Sequence, residues 1–170
     1  MLEIAAGAGE HAVHFAAALP HLLWRPSDPD PEALTSIAAW RDDAGLPNLA
    51  PPIRLNAADP DTWPADPIDA VVNINMTHIS PWAATEGLTR GAAALLPAGG
   101  GLFLYGPFLE RDVETAPSNL AFDETLKRRN PEWGIRHLDE LAAVAAPHGL
   151  DLAERIVMPA NNLVLVFRKR

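Results

Sequence analysis

Short apolar segments alternate with longer helical segments along most of this chain. The apolar segments are MLEIA, HLLWRPSD, PPIRLNAAD, IDAVVNINM and GLFLYGPF, and the fourth has the β-branched character of a strand buried on both faces. Stretches with helical spacing lie between them, such as GEHAVHFAAALP and DPEALTSIAAWRDDAGLPN. Strands that alternate with helices of about 10–15 residues predict a parallel sheet with helices on both faces.

Local signals predict where individual elements begin and end. Gly45 is placed to end the second helix. For the helix after the fourth strand, the pattern predicts Ser80 as the N-cap, Pro81 as the first helical residue and Gly99–Gly100 as the end. The chain closes with two β-type segments joined by a turn near residue 160, so we predict a hairpin whose last strand is antiparallel to the others.

Composition narrows the classes of function. The 170 residues are enough for one domain with a real core, and 48% of them are hydrophobic. With 22 acidic against 13 basic residues, the net charge of −9 disfavours nucleic acid as a partner. The chain has no cysteine, which excludes disulfides and thiolate chemistry. Because no apolar segment approaches the roughly 20 residues of a membrane span and no signal-peptide pattern is present, we expect a cytoplasmic protein with no membrane partner.

The segment EIAAGAGE contains small residues where a strand would turn into a helix. Gly7 and Gly9 permit positive φ and a close approach of bare backbone to a ligand, and the helix from Glu10 would direct its N-terminal dipole there. Asp28 ends the second apolar segment 19 residues after Gly9, near the spacing of about 20 expected for an acidic residue that binds a ribose. An alanine-rich helix that contains two glycines is the alternative for this segment alone.

Two residues indicate which ligand the turn would hold. Ala12 stands where G-x-G-x-x-G has its last glycine, which disfavours NAD. Glu3 lies inside the first strand, and a carboxylate there suits a ligand with an amino group, such as the methionine part of S-adenosylmethionine. An NAD-dependent reductase would also fit the fold class, but this sequence lacks the glycine pattern and the Tyr-x-x-x-Lys pair expected of one.

The segment LEIAAGAGEHA resembles the first motif of class I S-adenosylmethionine-dependent methyltransferases, a strand followed by E/D-x-G-x-G-x-G. NMTHISPW, APSNLAFDETL, NPEWGIRHLDEL and MPANN resemble the methyltransferase-like 26 family, and this similarity extends over nearly the whole chain. The resemblance implies a Rossmann-like, doubly wound, mostly parallel sheet with strand order 3-2-1-4-5-7-6, an antiparallel last strand, and S-adenosylmethionine as the cofactor. Members of this superfamily normally place helices before the first strand. None precedes Leu2 here, so we expect a more open cofactor site.

The resemblance also implies a set of cofactor contacts at the ends of the first four strands. Ala5 replaces the first glycine of the motif, and Asn56 replaces an Asp that usually contacts the adenine amino group, although its carbonyl can still accept that hydrogen bond. Asp59 is a substitute for that contact. The predicted cofactor-binding residues are Glu3, Ala5, Gly7, Gly9, Asp28, Asn56, Asn75 and Met76.

Methyl transfer needs an acceptor placed in line and, where the acceptor carries a proton, a base. His78 directly follows the fourth strand and is the leading base, with a cap on the turn into the next helix as the alternative. Asp123 is the second candidate, with a solvated helix residue as the alternative. The predicted substrate-binding residues are Trp82, Tyr105, Asn119, Trp133, Asn161 and Asn162. The aromatic residues could equally belong to the core, and Asn161–Asn162 could simply form the hairpin turn.

These patterns predict one methyltransferase-like domain over residues 1–170, with a substrate-side insertion at about 107–134. No metal is expected, because His11 and His14 have no third ligand. The predicted function is methyl transfer to an unidentified small-molecule or protein acceptor. A non-catalytic cofactor-binding or interaction protein is the alternative, since Ala5 and Asn56 depart from the motif.

Overall fold

The computed structural model describes all of residues 1–170 as an α/β fold. The helices are α1 (Glu10–Ala18), α2 (Pro31–Ala44), α3 (Trp82–Leu95), α4 (Pro117–Arg129) and α5 (Leu138–Ala145). The strands are β1 (Leu2–Ile4), β2 (Arg25–Asp28), β3 (Ile53–Arg54), β4 (Ala70–Ile74), β5 (Gly101–Gly106), β6 (Phe108–Leu109), β7 (Arg136–His137), β8 (Leu150–Met158) and β9 (Asn162–Lys169).

Seven strands form one sheet in the order β3-β2-β1-β4-β5-β9-β8. Strands β1 to β5 pair in parallel, and β9 pairs antiparallel with both β5 and β8. The predicted order counted only the strands of this sheet, and it is confirmed. Two short strands, β6 and β7, pair with each other outside it and move the labels of the last two strands to β8 and β9. This topology places the carboxyl ends of β1 to β5 along one edge, where ligands bind in open α/β sheets.

The helices cover both faces of the sheet, as the alternating pattern predicts. Helices α3 and α5 contact each other and contribute to the larger core cluster, together with Leu2 and Ile4 of β1. Helices α1 and α2 pack together on the other side, where Ala12 and Ala16 join Trp24 in a separate cluster. Because side chains alternate along a strand, the β1 residue between Leu2 and Ile4 faces the second cluster.

Both predicted boundaries of α3 were wrong. Pro81 is extended, with ψ at 152°, and occupies the N-cap, so α3 begins at Trp82. The Ser80 hydroxyl donates to the Met76 carbonyl instead of capping the helix. At the other end α3 stops at Leu95, because Leu96 precedes a proline and is therefore held in an extended conformation. Gly99 and Gly100 lie in the following turn.

The segment predicted as an insertion, residues 107–134, contains β6 and α4. Only Asn119 and Leu126 of α4 are buried, so the helix has no apolar stripe from which its period could be read. No helix in the structure is both long enough and apolar enough to cross a membrane.

Candidate functional site

A cavity of about 540 Å³ opens at the carboxyl ends of β1 to β4, and we call it the glycine-turn cavity. Residues that directly follow these four strands form most of its wall. Of the predicted cofactor residues and the predicted tryptophans, those that line it are Ala5, Gly7, Asp28, Asn56, Met76 and Trp133. Its volume lies in the range of small-molecule sites.

The turn after β1 has the backbone that its small residues allow. Ala5 and Gly7 have φ of 57° and 58°, in the left-handed region, and a Cβ on Gly7 would meet no atom within 4 Å. Gly9 has φ of 99°, and a Cβ there would lie 2.9 Å from the Cα of Ile37. Gly9 therefore permits α1 to approach α2, whereas Gly7 leaves open space at the cavity.

Asp28 connects the glycine turn to the segment after β2. One carboxylate oxygen accepts a hydrogen bond from the backbone N–H of Gly7 at 3.0 Å, and the other accepts from the N–H of Asp30 at 3.0 Å. The side chain is nearly buried and also lines the cavity. These two bonds fix the position of the one acidic group in the cavity wall.

Asn56 begins a tightly bonded loop. Its Oδ1 accepts from the N–H of Ala58 at 3.1 Å, so part of the acceptor capacity predicted for adenine is used within the loop. The Thr62 hydroxyl donates to the Asn56 carbonyl and accepts from the Asn56 N–H. Asp59 accepts from the N–H of Asp61 and does not line the cavity. Asn56 thus lines the cavity with its amide nitrogen unpartnered within the chain.

Glu3 lies on the side of β1 opposite the cavity. It is 1% exposed, and one of its carboxylate oxygens accepts from the indole N–H of Trp24 at 2.7 Å. Burial raises the pKa of this carboxyl to about 7, and the Trp24 hydrogen bond opposes the rise. The alternation along β1 explains why Ile4 lines the cavity and Glu3 does not. Of the remaining predicted cofactor residues, Gly9 does not line the glycine-turn cavity, and Asn75 lines a second cavity beside it.

A second cavity, of about 490 Å³, lies beside the first, and we call it the asparagine cavity. Its walls come from the end of β4, from α4 and from the turn before β9. Its ten lining residues are Asn75, His78, Ile79, Pro107, Ser118, Asn119, Phe122, Ala160, Asn161 and Asn162. Ile79 lines both cavities, and the adjacent residues Asn75 and Met76 line one cavity each.

Backbone strain is concentrated at these two cavities. Four residues other than glycine have positive φ, namely Ala5, Asn75, Ala160 and Asn161, with values from 57° to 64°. Ala5 lines the glycine-turn cavity, and the other three line the asparagine cavity. Such conformations cost of the order of 1 kcal/mol or more each and are found predominantly at functional sites.

His78 is buried at the wall of the asparagine cavity, with 3% of its surface exposed. Burial, together with the nearby Arg136 guanidinium, lowers its pKa to about 4. Its Nδ1 is fully buried without a hydrogen-bond partner. Its Nε2 has no partner within the chain either, but it is not fully buried. The ring meets Phe122 edge to face, with centroids 5.6 Å apart. With its pKa lowered, His78 contributes a neutral imidazole to the wall of the cavity.

Hydrogen bonds connect each predicted asparagine to a distant segment of the chain. The Asn119 amide N–H donates to the Asn161 carbonyl at 3.1 Å and thereby joins α4 to the turn before β9. The Asn161 amide donates to Ser118, and the Asn162 amide donates to the Tyr105 hydroxyl at 3.1 Å. The structure therefore brings together residues that are more than 40 positions apart in the sequence.

Three residues predicted for the acceptor side lie outside both cavities, namely Trp82, Tyr105 and Asp123. Asp123 accepts from the N–H of Ile135 at 2.8 Å and pairs with Lys127 one helical turn away. Trp82 lies under the guanidinium of Arg136, whose carbon is 5.5 Å from the ring centroid.

Sequence reasoning missed several residues of the cavity walls. Ile79 is apolar yet 43% exposed, and it lines both cavities. Phe122 and Ser118 lie on α4, whose pattern shows no apolar face. Ala160 adopts a positive φ that nothing in its residue type indicates. An apolar residue in the turn between a strand and a helix, as at Ile79 between β4 and α3, is the one signal that could have been used.

Comparison with solved structures first defines the class of fold. The chain is similar to an O-methyltransferase family protein from Burkholderia thailandensis, with 17% identity and a TM-score of 0.84, over 99% of this chain and 50% of that one. It is also similar to an O-methyltransferase family 2 protein from Planctomyces limnophilus in complex with apigenin, with 22% identity and a TM-score of 0.81, over 99% and 50%. PigF with SAH is a third, with 15% identity and a TM-score of 0.83, over the same shares. These similarities show a Rossmann-like methyltransferase fold, and this chain spans about half the length of those proteins.

The particular family follows from a match over nearly the whole chain. Residues 1–169 match the family described as "Protein of unknown function (DUF938)". The chain belongs to this family.

Proposed function

We propose that this protein is an S-adenosylmethionine-dependent methyltransferase that modifies an O or N atom of a small-molecule or protein acceptor. The observation that carries this proposal is the pairing of two cavities at the carboxyl edge of the sheet, with Ile79 in the wall of both. A methyl donor in the glycine-turn cavity would lie next to an acceptor in the asparagine cavity. Such placement supplies the positioning that methyl transfer requires.

The wall of the glycine-turn cavity fits an adenosyl ligand. Gly7 leaves its Cβ position open, which admits a ligand close to the backbone. Asp28 provides carboxylate oxygens for ribose hydroxyls, and Asn56 provides an amide for the base. When bound, the cofactor supplies a methyl group on a positively charged sulfur. Trp133 and Met76 would cover the apolar part of the ligand.

His78 would hold the acceptor and take its proton. Since its pKa is about 4, the imidazole is neutral at physiological pH and has a nitrogen lone pair available. His78 lines the asparagine cavity, and its Nε2 would be the accepting nitrogen when Nδ1, which is fully buried without a partner, carries the ring proton. Asn119, Asn161 and Asn162 would orient the acceptor, and the Tyr105 hydroxyl fixes the Asn162 amide.

The finer parts of the proposal follow from similarity and charge. We extend the sequence resemblance to the methyltransferase-like 26 family to function. The similarity to PigF, which was solved with SAH, the demethylated product of the cofactor, supports S-adenosylmethionine as the methyl donor. The net charge of −9 disfavours a nucleic-acid acceptor. We also propose that the protein is cytoplasmic.

A non-catalytic protein that binds the cofactor is the second candidate. Asn56 favours it, because its Oδ1 is already engaged by the N–H of Ala58 and the usual carboxylate is missing. This candidate would bind the adenine of the cofactor more weakly than a methyltransferase with the usual carboxylate. It would transfer no methyl group to any acceptor.

Calorimetry with S-adenosylhomocysteine and S-adenosylmethionine tests cofactor binding. We expect both to bind, and Gly7→Val to abolish binding, because its side chain would occupy the cavity. Gly45→Val is the matched control, since Gly45 has φ of 59° and an open Cβ position but lies at the end of α2, outside the cavity. No heat from a folded sample with either ligand would refute the proposal.

Transfer of a labelled methyl group to cell extract separates the two candidates. A methyltransferase should label an acceptor and lose that activity in His78→Ala. Asp123→Asn is the comparison, because Asp123 bonds to Ile135 and Lys127 outside the cavity. Cofactor binding without any labelled product would support the non-catalytic candidate.

A further inference from the structure

The asparagine cavity has no charged residue in its wall. All ten lining residues are uncharged when His78 is neutral. The charged groups near it are held elsewhere by hydrogen bonds. Arg136 donates to the carbonyls of Thr77, Ser80 and Glu132. Asp123 is bound to the N–H of Ile135 and to Lys127. A charged ligand group would therefore lose its water without gaining an opposite charge.

Several groups in the wall can accept a hydrogen bond and have no partner within the chain, and those of Asn119 and His78 are the most buried of them. Asn119 is 9% exposed, and its amide N–H is used by the Asn161 carbonyl, which leaves Oδ1 unpartnered within the chain. A backbone carbonyl can only accept, so this bond also determines which end of the amide is nitrogen. His78 makes no side-chain hydrogen bond at the same cavity, and with the ring proton on Nδ1 its neutral imidazole can accept one hydrogen bond at Nε2. The cavity thus offers acceptors to a ligand that donates.

One side of the wall is apolar. Phe122 is 40% exposed although its ring contacts His78, and Ile79 and Pro107 complete this side. An exposed aromatic ring beside a cavity can pack against an apolar body. The ligand group that donates hydrogen bonds therefore belongs to a molecule with an apolar part.

We propose that the acceptor is an uncharged small molecule with an apolar body and a hydroxyl group, which donates its hydrogen bond to His78. This inference rests on the proposed function and narrows it from O or N acceptors to hydroxyls. An amine that enters as an ammonium ion finds no carboxylate here, and a carboxylate finds no cation. In the transfer, the hydroxyl oxygen bonds to the methyl carbon, the carbon–sulfur bond breaks with its electron pair left on sulfur, and the hydroxyl proton passes to His78.

A matched set of small aromatic probes tests this selectivity by binding. The probes are phenethyl alcohol, 4-ethylphenol, phenethylamine and phenylacetate, titrated while the His78 ring resonance is followed by NMR, with and without S-adenosylhomocysteine. We expect both hydroxyl probes to move this resonance at concentrations about tenfold or more below those that either charged probe requires. Equal or tighter binding of a charged probe overturns the inference, and so does a His78 resonance that no probe moves.

A charge placed in the cavity provides the second test. Asn75 makes no side-chain hydrogen bond and has φ of 64°, which Asp tolerates, so Asn75→Asp should fold. We expect it to bind phenethylamine about tenfold more tightly. Asn130→Asp carries the same change in charge outside both cavities and should leave the affinity unchanged. Unaltered amine binding in Asn75→Asp contradicts the inference. Failure to bind S-adenosylhomocysteine, in contrast, contradicts only the proposed cofactor.

Discussion

At the scale of single residues, Asp28 has both a structural role in the glycine turn and a position in the wall of the glycine-turn cavity. Its two oxygens hold the N–H groups of Gly7 and Asp30, and its side chain lines the glycine-turn cavity. A carboxylate can accept at both oxygens, whereas an amide can accept at only one. The geometry of the glycine turn therefore depends on a side chain at position 28 that accepts hydrogen bonds at two oxygens.

Asp28→Asn should weaken both the turn and the proposed cofactor site. One part-buried N–H, of Gly7 or Asp30, loses its acceptor and faces an amide nitrogen, which costs about 1 kcal/mol. We expect a lower melting temperature and S-adenosylhomocysteine affinity reduced by about tenfold or more, measured by calorimetry. Asp30→Asn is the control, because Asp30 caps α2 through the N–H of Glu32 and Asn caps equally well. Equal affinity of Asp28→Asn and the native protein would contradict this account.

At the scale of elements, α3 supports the wall of the glycine-turn cavity from behind. A Cβ on Gly87 would lie 2.0 Å from the Ala57 carbonyl oxygen, and a Cβ on Gly91 would lie 2.3 Å from the Trp63 ring. The Trp63 indole N–H in turn donates to the same Ala57 carbonyl at 3.2 Å. Two glycines one helical turn apart thus allow the loop that contains Asn56 to pack directly on the α3 backbone.

Gly87→Ala should displace this loop and open the base end of the cavity. The overlap is with backbone, which cannot rotate away, and overpacking of this kind costs about 1–3 kcal/mol. We expect weaker S-adenosylhomocysteine binding by about tenfold, together with lower stability. Leu88→Ala is the matched control, because Leu88 is fully buried on the same helix and its truncation lowers stability by leaving a cavity in the core. If both variants lose affinity equally, the loop contact has no specific role.

At the scale of the whole molecule, two buried groups give the stability opposite dependences on pH. Glu3 has a folded pKa of about 7, so the unfolded chain loses this proton first and stability falls as the pH rises from 4.5 to 7. His78 has a folded pKa of about 4, so the unfolded chain gains this proton first and stability falls as the pH drops from 6.5 to 4. The two contributions oppose each other between about pH 4.5 and 6.5.

Removing either group should reveal the contribution of the other. In Glu3→Gln, which can still accept from Trp24, we expect the free energy of unfolding to rise by ~3 kcal/mol between pH 4 and 6.5. In His78→Gln it should fall by a similar amount between pH 4.5 and 7. Urea unfolding at several pH values measures both. A native protein with the same pH profile as Glu3→Gln would contradict the role assigned to Glu3.

Much of the fold could be predicted because its signals are local. The β-branched segment of β4, the glycine at the end of α2 and the closing hairpin each depend on residues close in sequence, and each was confirmed. The C-terminal end of α3 was missed because Pro97 ends the helix before the glycines beyond it are reached. The site was less accessible to prediction, since Glu3 and Ile4 differ by one position and lie on opposite faces of the sheet.

The sequence by itself determined the alternation of strands and helices, the positive φ at Gly7 and Gly9, and the acidic residue at the end of β2. These properties depend on residue type and short spacing, which a chain carries into any environment. Only the tertiary structure decided that Asn119 meets Asn161, that His78 is neutral, and that Gly87 touches the loop of Asn56. Each of these depends on burial and on contact between distant segments, which exist only after the chain has packed.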